Sequence, residues 1–381
     1  MPLRTGHIVE KPFNRVRKED DMKRFVSKKL VWLFLAVALT WTMAPVANAQ
    51  PGEFVKGVLQ PLADGFPKRA INIIVVDDPG SGDDIYAKSI QAALQGISPV
   101  PILVSCEPAP LGGSWYTISK GVPAREGGND GYYPIVTAGV GMVSDLLIDP
   151  GTRDIGAKLS DLNMVISSDI LPYILVQRKN APWGPTVADM LKYAKANPGK
   201  LRYISKEIGS GADIYFEWIL DTLGLKVEKI PQGSFQEQVS IVGAGEGDIA
   251  LTGTEAAFVK AQTGRVEPTM IAGAIVPDVF KKNFPKAISA KEAGIDPTIT
   301  GGPTGLGVPS KVPQAHVDWM YKLFKVAVTS DLHKKRAITT PGLFFDVVDG
   351  ATMNATHKRM LEYVDPIIHR IGLHIDDVKK K

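Results

Sequence analysis

Two glycine turns hold the residues of this chain that are best suited to bind a small polar solute. The turn Gly209-Ser210-Gly211 follows a short, partly apolar segment, residues 201–205, and precedes a predicted helix with Asp213 near its first turn. A helix start exposes unpaired N–H groups and the positive end of the helix dipole, which favour an anionic or oxygen-rich guest. The alternative is an ordinary strand-to-helix connection in which Asp213 serves as an N-cap.

The same device occurs earlier in the chain, after the apolar run at residues 71–76. Apolar residues then recur at helical spacing over residues 86–97, so this turn also lies between a predicted strand and a predicted helix. In open α/β sheets, ligands bind at the edge formed by the carboxyl ends of the strands. The candidate binding residues of this turn are Asp78, Pro79, Gly80, Ser81, Gly82 and Asp84.

Other predicted strands are also followed by glycine and polar residues. A third glycine turn follows the predicted strand at residues 133–137, and similar residues follow the segments near 231 and 249–251. We place the second and third turns and the strand ends before them in one candidate ligand site with the first turn. The additional candidates are Thr137, Gly141, Ser205, Gly209, Ser210, Gly211 and Asp213.

The sequence lacks the standard catalytic and nucleotide-binding motifs. Neither glycine turn completes G-x-S-x-G, G-x-x-x-x-G-K-[ST] or G-x-G-x-x-G, and H-E-x-x-H is absent. The five histidines after residue 49 are assigned surface or packing roles rather than metal binding. The acid pairs Asp77-Asp78 and Asp83-Asp84 leave a hydrolase as an alternative, because two carboxylates in different environments can act as acid and base. We predict no enzyme activity, no catalytic residue, no metal and no cofactor.

Residues 1–49 have the composition of an extended N-terminus and a secretory signal peptide. A basic cluster at residues 23–29 precedes the apolar run at residues 30–39, and small residues lead up to Ala49, near which cleavage is expected. Met22 stands immediately before the basic cluster and is an alternative start to Met1. The alternative is an uncleaved membrane anchor, but the apolar run is short for a membrane span.

Charge and cysteine content argue against a nucleic-acid partner and exclude an intrachain disulfide. Residues 1–49 hold nine Lys or Arg and four Asp or Glu, so removing that excess of five from a formal charge of +4 leaves −1. A nearly neutral chain without a basic stripe does not predict nucleic-acid binding. Cys106 is the only cysteine, so an intrachain disulfide is impossible, and we expect it to be buried rather than reactive.

Strand patterns alternate with helix patterns over the rest of the chain, which predicts two α/β lobes with mainly parallel sheets flanked by helices. The breaker sequence at residues 182–185 suggests a lobe boundary. We therefore assign residues 50–178 to the first lobe, residues 179–302 to the second, and residues 303–381 to a return into the first. Apolar residues at 317, 320, 321, 324 and 328 mark one face of a helix in that return.

Several segments together resemble the solute receptors of tripartite tricarboxylate transporters, also called Bug receptors. The resemblance spans most of the chain after residue 49, and the paired motifs AKANPGKL and KEAGI in this order are specific. The segments are PKRAINIIVVDDPGSGDD from Pro67, NDGYYPIVTAG from Asn129, TVADMLKYAKANPGKLRYIS from Thr186, IGSGAD from Ile208, GAGEGDIAL from Gly243, AISAKEAGI from Ala287 and GLGVPSKVP from Gly305.

The resemblance implies a periplasmic binding protein of the type II kind, with two lobes joined by a hinge. We expect the protein to be a monomer. The resemblance implies that a carboxylate-bearing solute is gripped between the lobes by backbone groups and ordered waters from residues 79–84 and 209–213. It also implies that further segments face this cleft, with the candidate residues Gln232, Gly233, Gly253 and Thr254. Finally, it implies hinge closure around the solute and delivery to a membrane permease. A sensor or scaffold that signals to a membrane protein is the alternative role.

This chain departs from the family pattern in its acids. Four aspartates surround the first glycine turn, Asp213 stands where the family often has histidine, and Gln232 replaces a usual tyrosine. An unpaired carboxylate about 4 Å from a solute carboxylate costs about 4 kcal/mol at an effective dielectric near 20. If these acids face the cleft, the solute should therefore be less anionic than citrate. The alternative is that they cap the helices and point away.

Overall fold

The computed structural model describes residues 50–109, 112–170, 172–206, 208–232, 234–295, 303–336 and 343–378. The signal peptide expected at residues 1–49 lies outside these ranges. Residues from Pro51 to Lys381 form one compact unit. In the ranges given above, every helix is too short or too polar to cross a lipid bilayer.

Fourteen strands occur among the described residues. They are β1 (Phe54–Val55), β2 (Val58–Leu59), β3 (Ile71–Val75), β4 (Ile102–Cys106), β5 (Ile135–Ala138), β6 (Leu162–Ile170), β7 (Ile174–Arg178), β8 (Arg202–Ser205), β9 (Glu228–Pro231), β10 (Ile249–Thr252), β11 (Val266–Ile271), β12 (Ile288–Ser289), β13 (Pro303–Pro309) and β14 (Phe344–Asp349).

The α-helices alternate with most of these strands. They are α1 (Gly82–Ala93), α2 (Gly113–Tyr116), α3 (Gly139–Ile148), α4 (Pro150–Asp154), α5 (Val187–Ala196), α6 (Gly211–Leu223), α7 (Phe235–Ala244), α8 (Thr254–Gln262), α9 (Asp278–Asn283), α10 (Gln314–Thr329), α11 (Asp331–Lys334), α12 (Gly350–Arg370) and α13 (Ile375–Val378). Thr186 caps α5, as its position in the sequence predicts, because its hydroxyl accepts from the N–H of Asp189.

Two six-stranded sheets confirm the expected α/β architecture. The first sheet has the order β14-β6-β13-β5-β3-β4, and the second has the order β12-β11-β7-β10-β8-β9. The chain builds most of the first sheet, continues into the second at β7, and returns to the first at β13. Strand β7 therefore belongs to the second sheet, although the boundary expected at residue 179 would place it in the first lobe.

The strand directions correct the expectation of mainly parallel sheets. In the first sheet β3 runs parallel to β4 and β5, whereas β13 is antiparallel to both β5 and β6. In the second sheet β7 is antiparallel to β10 and β11, while β8 is parallel to β9 and β10. Both sheets are therefore mixed. In the first sheet β6 carries the chain toward the second sheet and β13 brings it back, so these two neighbours run in opposite directions.

Separate apolar clusters cover the sheets. Helix α10 buries its predicted face against the first sheet, with Val317, Met320, Phe324 and Val328 all at most 4% exposed. Helix α12 contacts β6 of the first sheet and also α3 and α6. Its Met360, Val364, Ile367 and Ile368 join the cluster of the second sheet. The last long helix therefore packs on both halves of the fold.

Candidate functional site

The first glycine turn is closed by its own side chains. Gly80 has a positive φ of 88°, a conformation that favours glycine, and Ser81 is the N-cap of α1. The Ser81 hydroxyl accepts from the N–H of Asp84 at 3.3 Å, and the Asp84 carboxylate accepts from the N–H of Gly80 at 2.7 Å. Asp84 thus satisfies a backbone donor that the turn would otherwise leave open.

The second glycine turn repeats this geometry in the second sheet. Gly209 has a φ of 83°, and Ser210 caps α6 by accepting from the N–H of Asp213 at 3.4 Å. The Asp213 carboxylate accepts from the N–H of Gly209 at 3.0 Å. Both turns therefore use the pattern Gly-Ser-Gly-x-Asp, in which the serine and the aspartate cap the helix start reciprocally.

Each capping aspartate also has a lysine partner. Lys88 Nζ lies 2.7 Å from Asp84, which is 1% exposed, and Lys229 Nζ lies 2.6 Å from Asp213, which is fully buried. Burial raises the pKa of Asp84, but the hydrogen bonds from Lys88 and Gly80 outweigh it and lower that pKa overall. Burial prevails at Asp213 and raises its pKa despite Lys229. Both side chains are thus engaged in capping, the alternative that the sequence left open, and their role in binding a solute stays a prediction.

The helix starts of the two sheets meet at Gly141 and Gly211. A Cβ built on Gly211 would lie 2.9 Å from the backbone N of Gly141 and 2.9 Å from the hydroxyl oxygen of Tyr173. Only a residue without a side chain permits this approach. Because α3 follows a strand of the first sheet and α6 follows a strand of the second, backbone donors from both sheets converge here.

Strand directions bring most of the other candidates to the same edges. Since β3 and β5 are parallel neighbours, the turn at Gly80 and the start of α3 follow the same edge of the first sheet. Since β8 is parallel to β9 and β10, Gln232 and the Gly253-Thr254 pair share an edge of the second sheet with the second turn. Gly233 lies outside the described residues.

The side chains of the remaining candidates differ in what they offer. Thr137 is buried and donates to the sulfur of Met164 at 3.5 Å, so the structure turns its side chain into the core. Thr254 is buried as well and donates to the carbonyl of Pro172 at 2.9 Å. The hydroxyl of Ser205 is buried and has no hydrogen-bond partner in the part of the chain that the structure describes. Asp78 and Pro79 are exposed.

Tyr173 is a site residue that the sequence did not single out. It lies in the connection between β6 and β7 and sits between Tyr215 and Phe235, with both ring centroids 6.1 Å away. Burial raises the pKa of Tyr173 to about 12, so its hydroxyl stays protonated. Among the residues that the structure describes, that hydroxyl has no hydrogen-bond partner. It is a donor available beside the two helix starts.

Asp83 and Arg336 place opposite charges near the first turn. Burial raises the pKa of Asp83 to about 6, Asp77 adds to this effect, and Arg336 opposes it. The Arg336 guanidinium lies 5.3 Å from the centre of the Tyr86 ring and hydrogen-bonds the buried carboxylate of Asp169. His333 Nε2 lies 2.8 Å from the same carboxylate. Sequence spacing gives no signal for this group, because its members come from α1, β6 and the region of α11.

Comparison with known proteins gives this fold a family. Residues 127–367, more than half of the chain, match the family model described as the tripartite tricarboxylate transporter family receptor, TctC. A UPF0065 protein of Bordetella pertussis is 29% identical over 192 residues, which are 49% of this chain and 55% of that protein. The chain thus matches about half the length of this curated relative.

Solved structures of similar proteins extend over most of the chain. A TctC solute-binding protein from Polaromonas superposes with a TM-score of 0.65 at 19% identity, covering 80% of this chain and 99% of that one. MatC from Rhodopseudomonas palustris, solved with bound malate, gives 0.59 at 18% identity, covering 80% and 100%. At these identities the likeness establishes the fold, which is that of a periplasmic binding protein. With the match to the family model, this chain belongs to the tripartite tricarboxylate transporter receptors, a family of solute-binding proteins.

Proposed function

We propose that this protein holds a small carboxylate-bearing solute between the carboxyl edges of its two sheets and delivers it to a membrane permease from the periplasm. The observation that carries the proposal is the approach of α3 and α6 at Gly141 and Gly211. Backbone N–H groups at two helix starts stabilise a carboxylate through hydrogen bonds and through the helix dipoles. The malate bound to MatC is a solute of this kind.

Capture requires contacts from both halves of the fold at once. In the proposed closed state the solute touches the glycine turn of each sheet, so binding favours the arrangement in which the two edges lie together. Opening about the β6–β7 connection separates these contacts and releases the solute. The donors are the free N–H groups of the helix starts and the Tyr173 hydroxyl, and no covalent step is involved.

The charges near the turns narrow the class of solute. Asp84 and Asp213 each accept a backbone N–H of their own turn and pair with a lysine. Neither therefore repels a solute carboxylate strongly. Asp83 remains the half-buried acid of the first turn, and its pKa of about 6 leaves it mainly ionised at pH 7.5. An ionised Asp83 repels a second or third solute carboxylate and attracts an amine or a hydroxyl. We therefore propose a solute less anionic than citrate, such as a hydroxy acid or an amino acid.

Calorimetric titration and thermal shift with malate, aspartate and citrate test the proposal. A solute at about 100 times its dissociation constant adds about 2.7 kcal/mol to the free energy of unfolding. We expect malate or aspartate to raise the melting temperature more than citrate does. Tight binding of citrate together with no response to aspartate contradicts the proposed charge preference.

Tyr173→Phe tests the location of the site. Removing the hydroxyl takes away one hydrogen bond to the solute, for which we expect about tenfold weaker binding. Tyr116→Phe is the matched control, because Tyr116 is 57% exposed and lies on α2. Equal affinities of the two variants and the parent protein place the solute elsewhere and reject this site.

A further inference from the structure

Two histidines and an aspartate come together at the end of α12. Asp365 and His369 lie one helical turn apart, and a turn at Gly372, with a φ of 72°, brings His374 back beside them. The Nε2 atoms of His369 and His374 lie 3.6 and 3.4 Å from the same Asp365 oxygen. The two imidazole rings stack with centroids 3.7 Å apart. One potential ligand atom from each residue lies within 4.8 Å of the others.

Hydrogen bonding determines which nitrogen of His369 is open. Its Nδ1 lies 2.7 Å from a carboxylate oxygen of Asp377, and a carboxylate only accepts, so Nδ1 carries the proton. In the neutral imidazole the lone pair is then on Nε2, and the nearest partner of Nε2 is the carboxylate of Asp365. Two electron-rich atoms face each other at 3.6 Å, an arrangement that a cation between them stabilises.

His374 adds a second nitrogen at the same position. Its Nδ1 accepts from the N–H of Asp376 at 3.1 Å, so in the neutral ring Nε2 carries a proton toward Asp365. A metal ion at Nε2 requires the other tautomer, in which the single N–H proton of the neutral ring lies on Nδ1, 3.8 Å from the Asp376 carboxylate, and the N–H of Asp376 gives up its bond to this ring. The carbonyl groups at the end of α12 and the negative end of its dipole favour a cation nearby.

We propose that Asp365, His369 and His374 bind a divalent metal ion of the zinc type. Two imidazole nitrogens and one carboxylate oxygen suit Zn²⁺ and leave a fourth position for water. Bonds of about 2.0–2.2 Å require the ligand atoms to approach to about 3.3 Å, and the exposed side chains of Asp365 and His369 have room to rotate. The Asp377 carboxylate accepts a hydrogen bond from Nδ1 of His369 and so orients the ring, as carboxylates do beside the histidine ligands of zinc sites.

The position of this site connects it to the second glycine turn. Leu373 lies between His369 and His374 in the sequence. Its Cδ1 is 3.4 Å from a Cβ built on Gly209. A metal ion that holds His369 and His374 together also fixes Leu373 against this turn. We therefore expect the metal to slow amide hydrogen exchange in residues 208–211 as well as in residues 369–377.

Titration of the purified protein with Zn²⁺ at pH 7.5, without a histidine tag, tests the proposal. We expect one ion per chain and a higher melting temperature. His369→Ala and His374→Ala should each weaken Zn²⁺ binding at least tenfold. Glu362→Gln, which removes an exposed acid from the same helix, should bind Zn²⁺ like the parent protein.

Two further measurements keep the test independent of folding. Circular dichroism without metal checks that each variant is folded, and Asp365→Asn removes a ligand charge at an exposed position with little change of shape. Weaker binding by a folded Asp365→Asn variant supports the site. Absence of Zn²⁺ binding by the parent protein overturns the proposal, and so does equal binding by the parent and the folded histidine variants.

Discussion

At the scale of single residues, Asp84 and Asp213 form closed local units. Each carboxylate accepts an N–H from its glycine turn and faces a lysine ammonium. A buried carboxylate is stable only when it is paired and hydrogen-bonded, and both conditions are met inside the turn. The turns can therefore present their remaining N–H groups to a solute without an opposing charge from these acids.

Asp213→Ala should be the most destabilising change in either turn. It leaves the N–H of Gly209 without its acceptor and removes the buried partner of Lys229, although Glu217 still lies 2.8 Å from that lysine. We expect a loss of about 2–4 kcal/mol in the free energy of unfolding, measured with urea. Asp221→Ala removes an exposed ion pair with Arg370 and should cost less than about 1 kcal/mol. Similar losses for both variants contradict this view of Asp213.

His357 should make the protein sensitive to acid. It is 2% exposed, its Nδ1 has no hydrogen-bond partner among the described residues, and burial lowers its pKa from 6.5 to about 4. A neutral histidine in the folded state stabilises the protein above pH 6.5, and this contribution is lost as the pH falls toward 4. The shift corresponds to about 3 kcal/mol. Stability should therefore fall less between pH 7.5 and 4.5 in His357→Leu, and the same fall in both proteins refutes the assignment.

Residue spacing could predict the caps but not the choice among their roles. Serine followed three positions later by aspartate predicts a helix start, and both helices begin where that pattern places them. The same spacing also allowed the aspartates to face a solute. Lys229 pairs with Asp213 from another element, β9, and no local pattern shows that contact. Tyr173 and Arg336 were missed for the same reason, since only the folded chain brings them to the turns.

At the scale of elements, the contact between α3 and α6 depends on Gly141 and Gly211. Gly82 occupies the same place in the first turn as Gly211 does in the second, but the surroundings of these two residues differ. A Cβ on Gly82 would meet no atom within 4 Å, whereas a Cβ on Gly211 would touch the backbone of Gly141 and the Tyr173 hydroxyl. The second turn is thus adapted to close backbone contact, and the first is open to solvent or to a guest.

Gly211→Ala and Gly82→Ala should separate these two situations. The methyl group at residue 211 must push α3 and α6 apart, for which we expect a loss of about 1–3 kcal/mol. The methyl group at residue 82 meets open space at a helix start and should leave stability unchanged or raise it slightly. Urea unfolding of both variants measures the difference. Equal stabilities mean that the helix starts do not meet as described.

Element positions were easier to predict from the sequence than element partners. The helix at α10 appears with the face that its apolar spacing predicts. Strand β11 covers Val266–Ile271, because its pairing with β7 extends over residues 266–268, which are less apolar than the residues that follow. Strand direction could not be derived from local pattern, since it depends on how often the chain crosses between the sheets.

At the scale of the whole molecule, α12 connects the two halves of the fold. It follows β14 of the first sheet and buries four apolar residues in the cluster of the second. A helix that is packed on both halves makes their unfolding interdependent. The two sheets should therefore unfold together, although each has its own apolar core.

Ile368→Ala tests this coupling. The residue is fully buried near the end of α12, so its truncation should cost about 2–5 kcal/mol. We expect one calorimetric transition in the parent protein and one, at lower temperature, in the variant. Tyr363→Ala, at a position 44% exposed on the same helix, should change stability much less. Two separate transitions, of which the variant shifts only one, show that the halves unfold independently.

The connection between β6 and β7 has only three residues, 171–173. A chain of three residues spans at most about 10 Å, so this tether allows the sheets to rotate but not to move far apart. When the sheets rotate about this connection, residues further from it must then move further. Gly211, next to Tyr173, should travel least, and the tips of the outer turns should travel furthest. The contacts near Gly211 and Tyr173 would stay nearly fixed and limit the size of the solute that fits, while the outer turns move apart to admit it.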